Sequence, residues 1–206
     1  MPSGCSMVST RRLFGLDRSG PAPPQTRRGQ RLRPLTIPNL VGYLRLAGIP
    51  VFLYLALGSG DGRTAASAIL YLAISGGDYL DGFLARVTGQ YSRMGALLDP
   101  VIDRLTILAG VVVCWRFELL PRWALVVLAA RELLTLVLAQ LALRRGVDLE
   151  INWVGRMSVW LTMGGIFLAL ATSAWIAEAV FLIGLTGSLL ASALYVNTGL
   201  RQARGG

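Results

Sequence analysis

Six apolar stretches, at about residues 38–58, 64–86, 95–116, 121–143, 154–173 and 175–197, constrain the fold of this chain more than any other feature. Each is close to the roughly 20 residues that an α-helix needs to cross a hydrocarbon core. Together they fill most of the 206 residues, and only 15% of the chain is charged, against about a quarter in an ordinary soluble domain. With 54% hydrophobic residues and a mean hydropathy of +0.58, the chain reads as an all-α integral membrane protein with six transmembrane helices. Thr36 is a candidate cap ahead of Pro38 in the first turn of segment one. The turn-forming run Gly58-Ser59-Gly60-Asp61-Gly62 separates segments one and two, and Pro121 suits the start of segment four.

All twenty basic residues are Arg, and the chain has no Lys or His. The net charge of +9 sits in tails and short connections, so it argues for membrane topology and against a nucleic-acid partner. Residues 1–34 hold seven Arg against one acid and read as a basic arm, part of which can lie on an anionic leaflet as a surface helix. Residues 35–200 form the six-helix domain and 201–206 a short tail. Arg86, Arg93, Arg144, Arg145, Arg201 and Arg204 fall on the same side as the arm. The positive-inside rule then predicts a multi-pass protein of the plasma or inner membrane, with both termini cytoplasmic. Cys5 and Cys114 lie in a polar tail and an apolar segment, and do not read as a pair.

Four of the eleven acidic residues, Asp78, Asp81, Asp99 and Asp103, cluster near the connection between segments two and three. Carboxylates in apolar surroundings are costly unless they face a partner, water or a metal, so the four mark a candidate site. Asp78 and Asp81 are three apart and Asp99 and Asp103 four apart, so each pair shares one helix face. Segments two and three run antiparallel and place all four at similar depth, near the cytoplasmic face. With no His in the chain, this donor set points to Mg²⁺ or Mn²⁺. Two ions about 3.5–4 Å apart would neutralise it most simply. Gly76, Gly77, Gly82, Gly95 and the small Ala85 either leave backbone open to a ligand or allow close helix packing. Arg86, one turn beyond Gly82, is placed to grip a diphosphate.

The run Asp78-x-x-Asp81-Gly82-x-x-Ala85-Arg86, eight residues, Gly95-x-x-x-Asp99-x-x-x-Asp103 resembles in full the signature of the CDP-alcohol phosphatidyltransferase family. The resemblance implies the family's six-helix fold and transfer of a phosphatidyl group from CDP-diacylglycerol to an alcohol with release of CMP. It implies that Asp78, Asp81, Asp99 and Asp103 hold the metals, that Asp103 is the base for the acceptor hydroxyl, and that Gly82, Ala85, Arg86 and Gly95 line the nucleotide and diphosphate site. Asp99 and Arg86 join Asp103 as catalytic candidates. It also implies a homodimer among membrane lipids in a bacterial, actinobacterial setting.

Thr36-Ile-Pro-Asn39 and Arg45 resemble the start of the family's bacterial phosphatidylglycerophosphate synthases. Asn39 either approaches the nucleotide or makes a helix-end hydrogen bond; Arg45 is expected in the substrate site. Ala130-Arg131-Glu132 and Gly155-Arg156 also resemble those synthases, which suggests glycerol 3-phosphate as acceptor, bound by Arg131 and Arg156. Arg131 and Glu132 can equally form an internal ion pair, and Arg144 and Arg145 either line the site mouth or anchor the helix end. The stretch after Gly155 lacks the usual lysines of that group. Asp99-Pro-Val-Ile-Asp103-Arg104 resembles actinobacterial cardiolipin synthases, which use phosphatidylglycerol, and an inositol-phosphate acceptor is a third alternative. Outside enzymology, the readings are a transporter, which would show an inverted repeat that is not evident here, or an inactive scaffold.

Overall fold

The computed structural model describes residues 35–88, 90, 92–145 and 153–204. Among them are six α-helices and no strand: α1 (Ile37–Leu57), α2 (Ala65–Thr88), α3 (Arg93–Arg116), α4 (Arg122–Arg145), α5 (Trp153–Ala171) and α6 (Trp175–Arg204). The basic arm, Cys5 and the extreme C-terminus lie outside the described residues.

Local chemistry sets the helix ends. The Thr36 side chain accepts a hydrogen bond from the Asn39 amide, which begins α1 as its sequence suggests. After α1, the Ser59 hydroxyl donates to Ala56 O and accepts from Gly62 N, and Gly62 turns the chain with φ +75°. Thr64 then caps α2 by accepting from the Ser67 amide. At the end of α3 the Leu119 amide reaches back to Cys114 O around Glu118, which holds φ 53°, a left-handed C-cap usually given to Gly. Ser92 caps α3 by accepting from the Gly95 amide.

Two of the helical stretches are long and apolar enough to cross a membrane by composition alone: Ile37–Leu57 and Trp175–Leu194, each with hydropathy 1.8. Met157–Ala171 is a shorter apolar stretch. In α2, α3 and α4, acidic and Arg side chains interrupt the apolar sequence.

The described residues group into two compact units, the first with residues up to Pro50 and Ala73–Leu105, the second with Val51–Leu72 and the residues from Thr106 onward. The second unit has Phe52, Tyr71, Val113, Leu125, Ile166, Leu170 and Phe181 fully buried, together with the polar side chains of Ser67, Thr106, Glu132, Ser158, Thr162 and Ser188. Phe52 and Tyr71 meet there as a tilted aromatic pair with centroids 5.3 Å apart. Cys114 is a free, buried thiol in this unit. Helices α5 and α6 pack closely because glycines remove the side chains between them: a Cβ on Gly165 would stand 2.5 Å from Phe181 Cα, and one on Gly184 2.5 Å from Thr162 N. In the first unit, Ile49, Ile74 and Ile102 are buried beside Asn39, Arg45, Asp81 and Ser92. Buried polar groups in such number need mutual partners, and those partners define the candidate site.

Candidate active site

The first unit brings together α1 as far as Pro50, the C-terminal part of α2 and the N-terminal part of α3. Arg45 of α1 is almost fully buried and is tied to three places at once. Its Nε donates to Ile74 O (2.8 Å), one terminal nitrogen to Asp81 Oδ2 (3.0 Å) and the other to Asp103 Oδ1 (2.7 Å). Asp78 Oδ1 lies 4.0 Å from the same guanidinium. Asp81 is buried, whereas the side chains of Asp103 and Asp78 are 32% and 46% exposed, so the carboxylates grade from interior to surface. The helical spacing read from the sequence accounts for this, because Asp78 and Asp81 turn toward Arg45 from α2 and Asp103 toward it from α3.

A groove of about 200 Å³ opens beside these carboxylates. Asp81, Gly82, Ala85 and Arg86 of α2 line it, with Gly95 and Asp99 of α3 and Asn39 of α1. Seven residues expected at the site from the sequence thus share one cavity. Gly82 leaves space for Arg86, whose guanidinium folds back over it: a Cβ at 82 would sit 3.3 Å from an Arg86 nitrogen. Gly95 does the same for Asn39, where a Cβ would stand 2.8 Å from Oδ1.

Asn39 makes the helix-end contact that was one of its two readings. Its Oδ1 accepts from the Ser92 hydroxyl at 2.7 Å, and Ser92 in turn accepts from the Gly95 amide. Ser92 and Gln90, which lie outside the acidic signature, also line the groove; Gln90 Oε1 accepts from the Ile37 amide at 3.1 Å. Ser92, three residues before Gly95, carried a cap signal that would have found it. Gln90 carried none.

Arg131 belongs to the second unit. It pairs with the buried carboxylate of Glu132, and its Nε donates to Ser192 Oγ at 3.3 Å. This is the internal ion pair of the two readings given to Arg131 and Glu132. Arg144, Arg145 and Arg156 are helical residues whose side chains lie outside the described set.

Among the described residues, no three acidic, histidine or cysteine side chains stand together as a ready metal cage. Arg45 bridges the carboxylates instead. The donors nevertheless suit a hard divalent cation. Only carboxylate oxygens are offered, each Asp carries two, and Arg45 engages one on Asp81 and one on Asp103. Asp78, Asp81 and Asp103 around the buried Arg45 guanidinium also leave an excess of negative charge for a cation to offset.

The sequence profile of CDP-alcohol phosphatidyltransferases matches residues 35–191, which include the entire groove. The chain is 42% identical over 167 residues to a protein of Streptomyces coelicolor named cardiolipin synthase (CMP-forming), covering 78% of this chain and 77% of that one. It is 33% identical over 186 residues to a probable phosphatidylglycerophosphate synthase of Mycobacterium tuberculosis, covering 84% and 88%. It is 29% identical over 136 residues to the CDP-diacylglycerol–glycerol-3-phosphate 3-phosphatidyltransferase of Bacillus subtilis, covering 60% and 70%. By the extent of the profile match and by these relatives, the chain belongs to the CDP-alcohol phosphatidyltransferase family.

Proposed function

We propose that this chain is a membrane-embedded enzyme of phospholipid biosynthesis that transfers the phosphatidyl group of CDP-diacylglycerol to an alcohol and releases CMP. The observation that carries the reading is the groove, in which Gly82, Ala85, Arg86, Gly95 and Asp99 of the signature stand with Asp81 against the Arg45 cluster. At about 200 Å³ it lies below the roughly 300–1,000 Å³ of drug-sized pockets, so it suits part of a nucleotide headgroup and leaves the acyl chains to the bilayer.

Asp78, Asp81, Asp99 and Asp103 would hold Mg²⁺ or Mn²⁺, two ions in the simplest arrangement. Bound there, the metal supplies Lewis-acid charge stabilisation to the diphosphate. The chain's own residues do the rest. Arg86 folds over Gly82 at the groove and offers its fork to the phosphate oxygens. Asp103 gives one oxygen to Arg45 and has a second for the proton of the acceptor hydroxyl. The acceptor oxygen forms its bond to the phosphorus bearing diacylglycerol as the bond to CMP breaks. The proton goes to Asp103 and CMP leaves with the bonding electrons.

Identity of 42% to the Streptomyces cardiolipin synthase, against 33% and 29% to the two glycerophosphate-type relatives, favours phosphatidylglycerol as acceptor and cardiolipin as product. Glycerol 3-phosphate is the second reading, supported by Ala130-Arg131-Glu132 and by the 84% of this chain aligned with the mycobacterial synthase. The occupation of Arg131 by Glu132 and Ser192 weakens its case as an acceptor-phosphate ligand. Purified protein given CDP-diacylglycerol, Mg²⁺ and each of phosphatidylglycerol, glycerol 3-phosphate and inositol phosphate tests the choice by lipid product. Cardiolipin is expected; phosphatidylglycerophosphate alone would transfer the assignment to the second reading.

In the bilayer, all six helices span, residues 35–200 form the domain, and the groove faces the cytoplasm with both termini. Outward-facing apolar side chains support this on helices beyond the two most apolar ones, among them Ile69 of α2, Val112 of α3 and Trp123 and Leu133 of α4. The enzyme works as a homodimer.

A further inference from the structure

A guanidinium buried to 3% exposure must have its donors satisfied, and Arg45 satisfies them through one backbone carbonyl and two carboxylates. Its route there is narrow. A Cβ at position 77 would meet Arg45 Cδ at 2.6 Å, Cγ at 2.9 Å and Nε at 3.0 Å. Contacts below 3.0 Å force a shift, so Gly77 is the slot through which Arg45 reaches the carboxylates. The neighbouring Gly76 has nothing within 4 Å of a built Cβ. The requirement for glycine is therefore specific to the face that carries Arg45.

Arg45 grips Asp81, the most buried carboxylate of the three around it, and one edge of Asp103. Each grip uses a single carboxylate oxygen, Oδ2 of Asp81 and Oδ1 of Asp103. We propose that Arg45 is a positioning residue: seated in the Gly77 slot, it fixes Asp81 and Asp103 in the orientation in which they hold the divalent cation, without touching the substrate diphosphate. The inference rests on the assignment of these aspartates to the metal in the proposed function. Ile74 O contributes by fixing the guanidinium plane, because a fork held at Nε can present its two terminal nitrogens only in one direction. Loss of an outer partner of a metal ligand typically weakens metal binding by about 10–100-fold.

Mn²⁺ binding to metal-free protein in detergent, followed by the electron paramagnetic resonance of free Mn²⁺, reads this directly. Arg45→Gln and Gly77→Ala should each weaken Mn²⁺ binding by about 10–100-fold. The double variant should be no weaker than Arg45→Gln, because both act through one side chain. Arg45→Lys, which keeps the charge but cannot bridge, should recover part of the loss. At saturating Mn²⁺, the KM for CDP-diacylglycerol of Arg45→Gln should stay within about threefold of the parent, which separates positioning from a lost phosphate ligand. Size-exclusion profiles identify variants that fold, and Gly77→Ala carries the test if Arg45→Gln does not. Unchanged or tighter Mn²⁺ binding in folded Arg45→Gln or Gly77→Ala would overturn the proposal while leaving the metal assignment intact. Absence of Mn²⁺ binding to the parent protein, or its persistence unweakened in Asp81→Asn, would overturn the metal assignment and the proposal with it.

Discussion

Two adjacent glycines in α5 should respond to the same substitution with opposite signs. A methyl group on Gly165 would stand 2.5 Å from Phe181 Cα, 2.6 Å from its Cβ and 2.6 Å from its amide nitrogen, all fixed parts of α6. Ordinary carbon contacts are about 3.5–4.0 Å, so α5 and α6 would have to part locally by about 1 Å. Phe181 and Ile166, both fully buried, and Leu185 would lose contacts in the process. Overpacking of this kind costs about 1–3 kcal/mol, toward the upper end where backbone has to move. Helix propensity returns about 1 kcal/mol on replacing Gly by Ala. The net expectation for Gly165→Ala is a destabilisation of about 2 kcal/mol. Gly164 has nothing within 4 Å of a built Cβ, so Gly164→Ala keeps only the propensity gain, up to about 1 kcal/mol. For a protein of this size 1 kcal/mol shifts the melting temperature by about 2–4 °C. Thermal unfolding in detergent, followed by tryptophan fluorescence and checked by size exclusion, should place Gly165→Ala about 4–8 °C below the parent and Gly164→Ala slightly above it. Equal shifts for both variants, or a neutral Gly165→Ala, would refute the close backbone packing of α5 on α6.

Arg131→Met should destabilise the fold by about 3–5 kcal/mol, because it removes the cation that faces the buried Glu132 carboxylate. Arg131→Met with Glu132→Gln should recover most of that loss, and a double-mutant cycle of thermal stabilities checks it; normal stability with lost activity would instead assign Arg131 to the acceptor. Gly95→Ala sets a methyl 2.8 Å from Asn39 Oδ1 and 3.3 Å from Ser92 Oγ, and should raise the KM for CDP-diacylglycerol about tenfold by displacing that pair in the groove. Steady-state CMP release against substrate concentration measures it. Glu118→Gly relieves a left-handed residue worth about 1–2 kcal/mol but gives up an exposed pair with Arg122, so melting should rise by a few degrees at most.

The helices were legible in the sequence because apolar length and turn chemistry agree. Segment one, read at about 38–58, is Ile37–Leu57, and segment three, read at about 95–116, is Arg93–Arg116. The end of α6 was less legible: the apolar run fades near 197, whereas the helix continues to Arg204, since polar residues such as Asn197 and Arg201 extend a helix as readily as they end an apolar stretch. At the site, the acidic residues and glycines announced themselves through spacing within one helix. The partners of Arg45 did not. Ile74, Asp81 and Asp103 lie 29, 36 and 58 positions away, and no local periodicity encodes which buried carboxylate a buried guanidinium will meet. Gly77 was visible as a small residue near the acidic run, but its use as a slot depends on a side chain from α1. For Asn39 and for Arg131 with Glu132, the sequence left two readings each. In the fold Asn39 meets Ser92 and Arg131 pairs with Glu132, partners that depend on packing between distant segments or on burial.

The chemistry assigned to the four aspartates is read out by release of CMP from CDP-diacylglycerol in the purified protein. CMP should appear only when both an acceptor alcohol and Mg²⁺ or Mn²⁺ are present, stop on chelation, return when the metal is restored, and fall to background in a folded Asp103→Asn variant. Release that survives chelation, or an Asp103→Asn variant with normal turnover, would contradict the account of the four aspartates as a metal-holding site with Asp103 as the base.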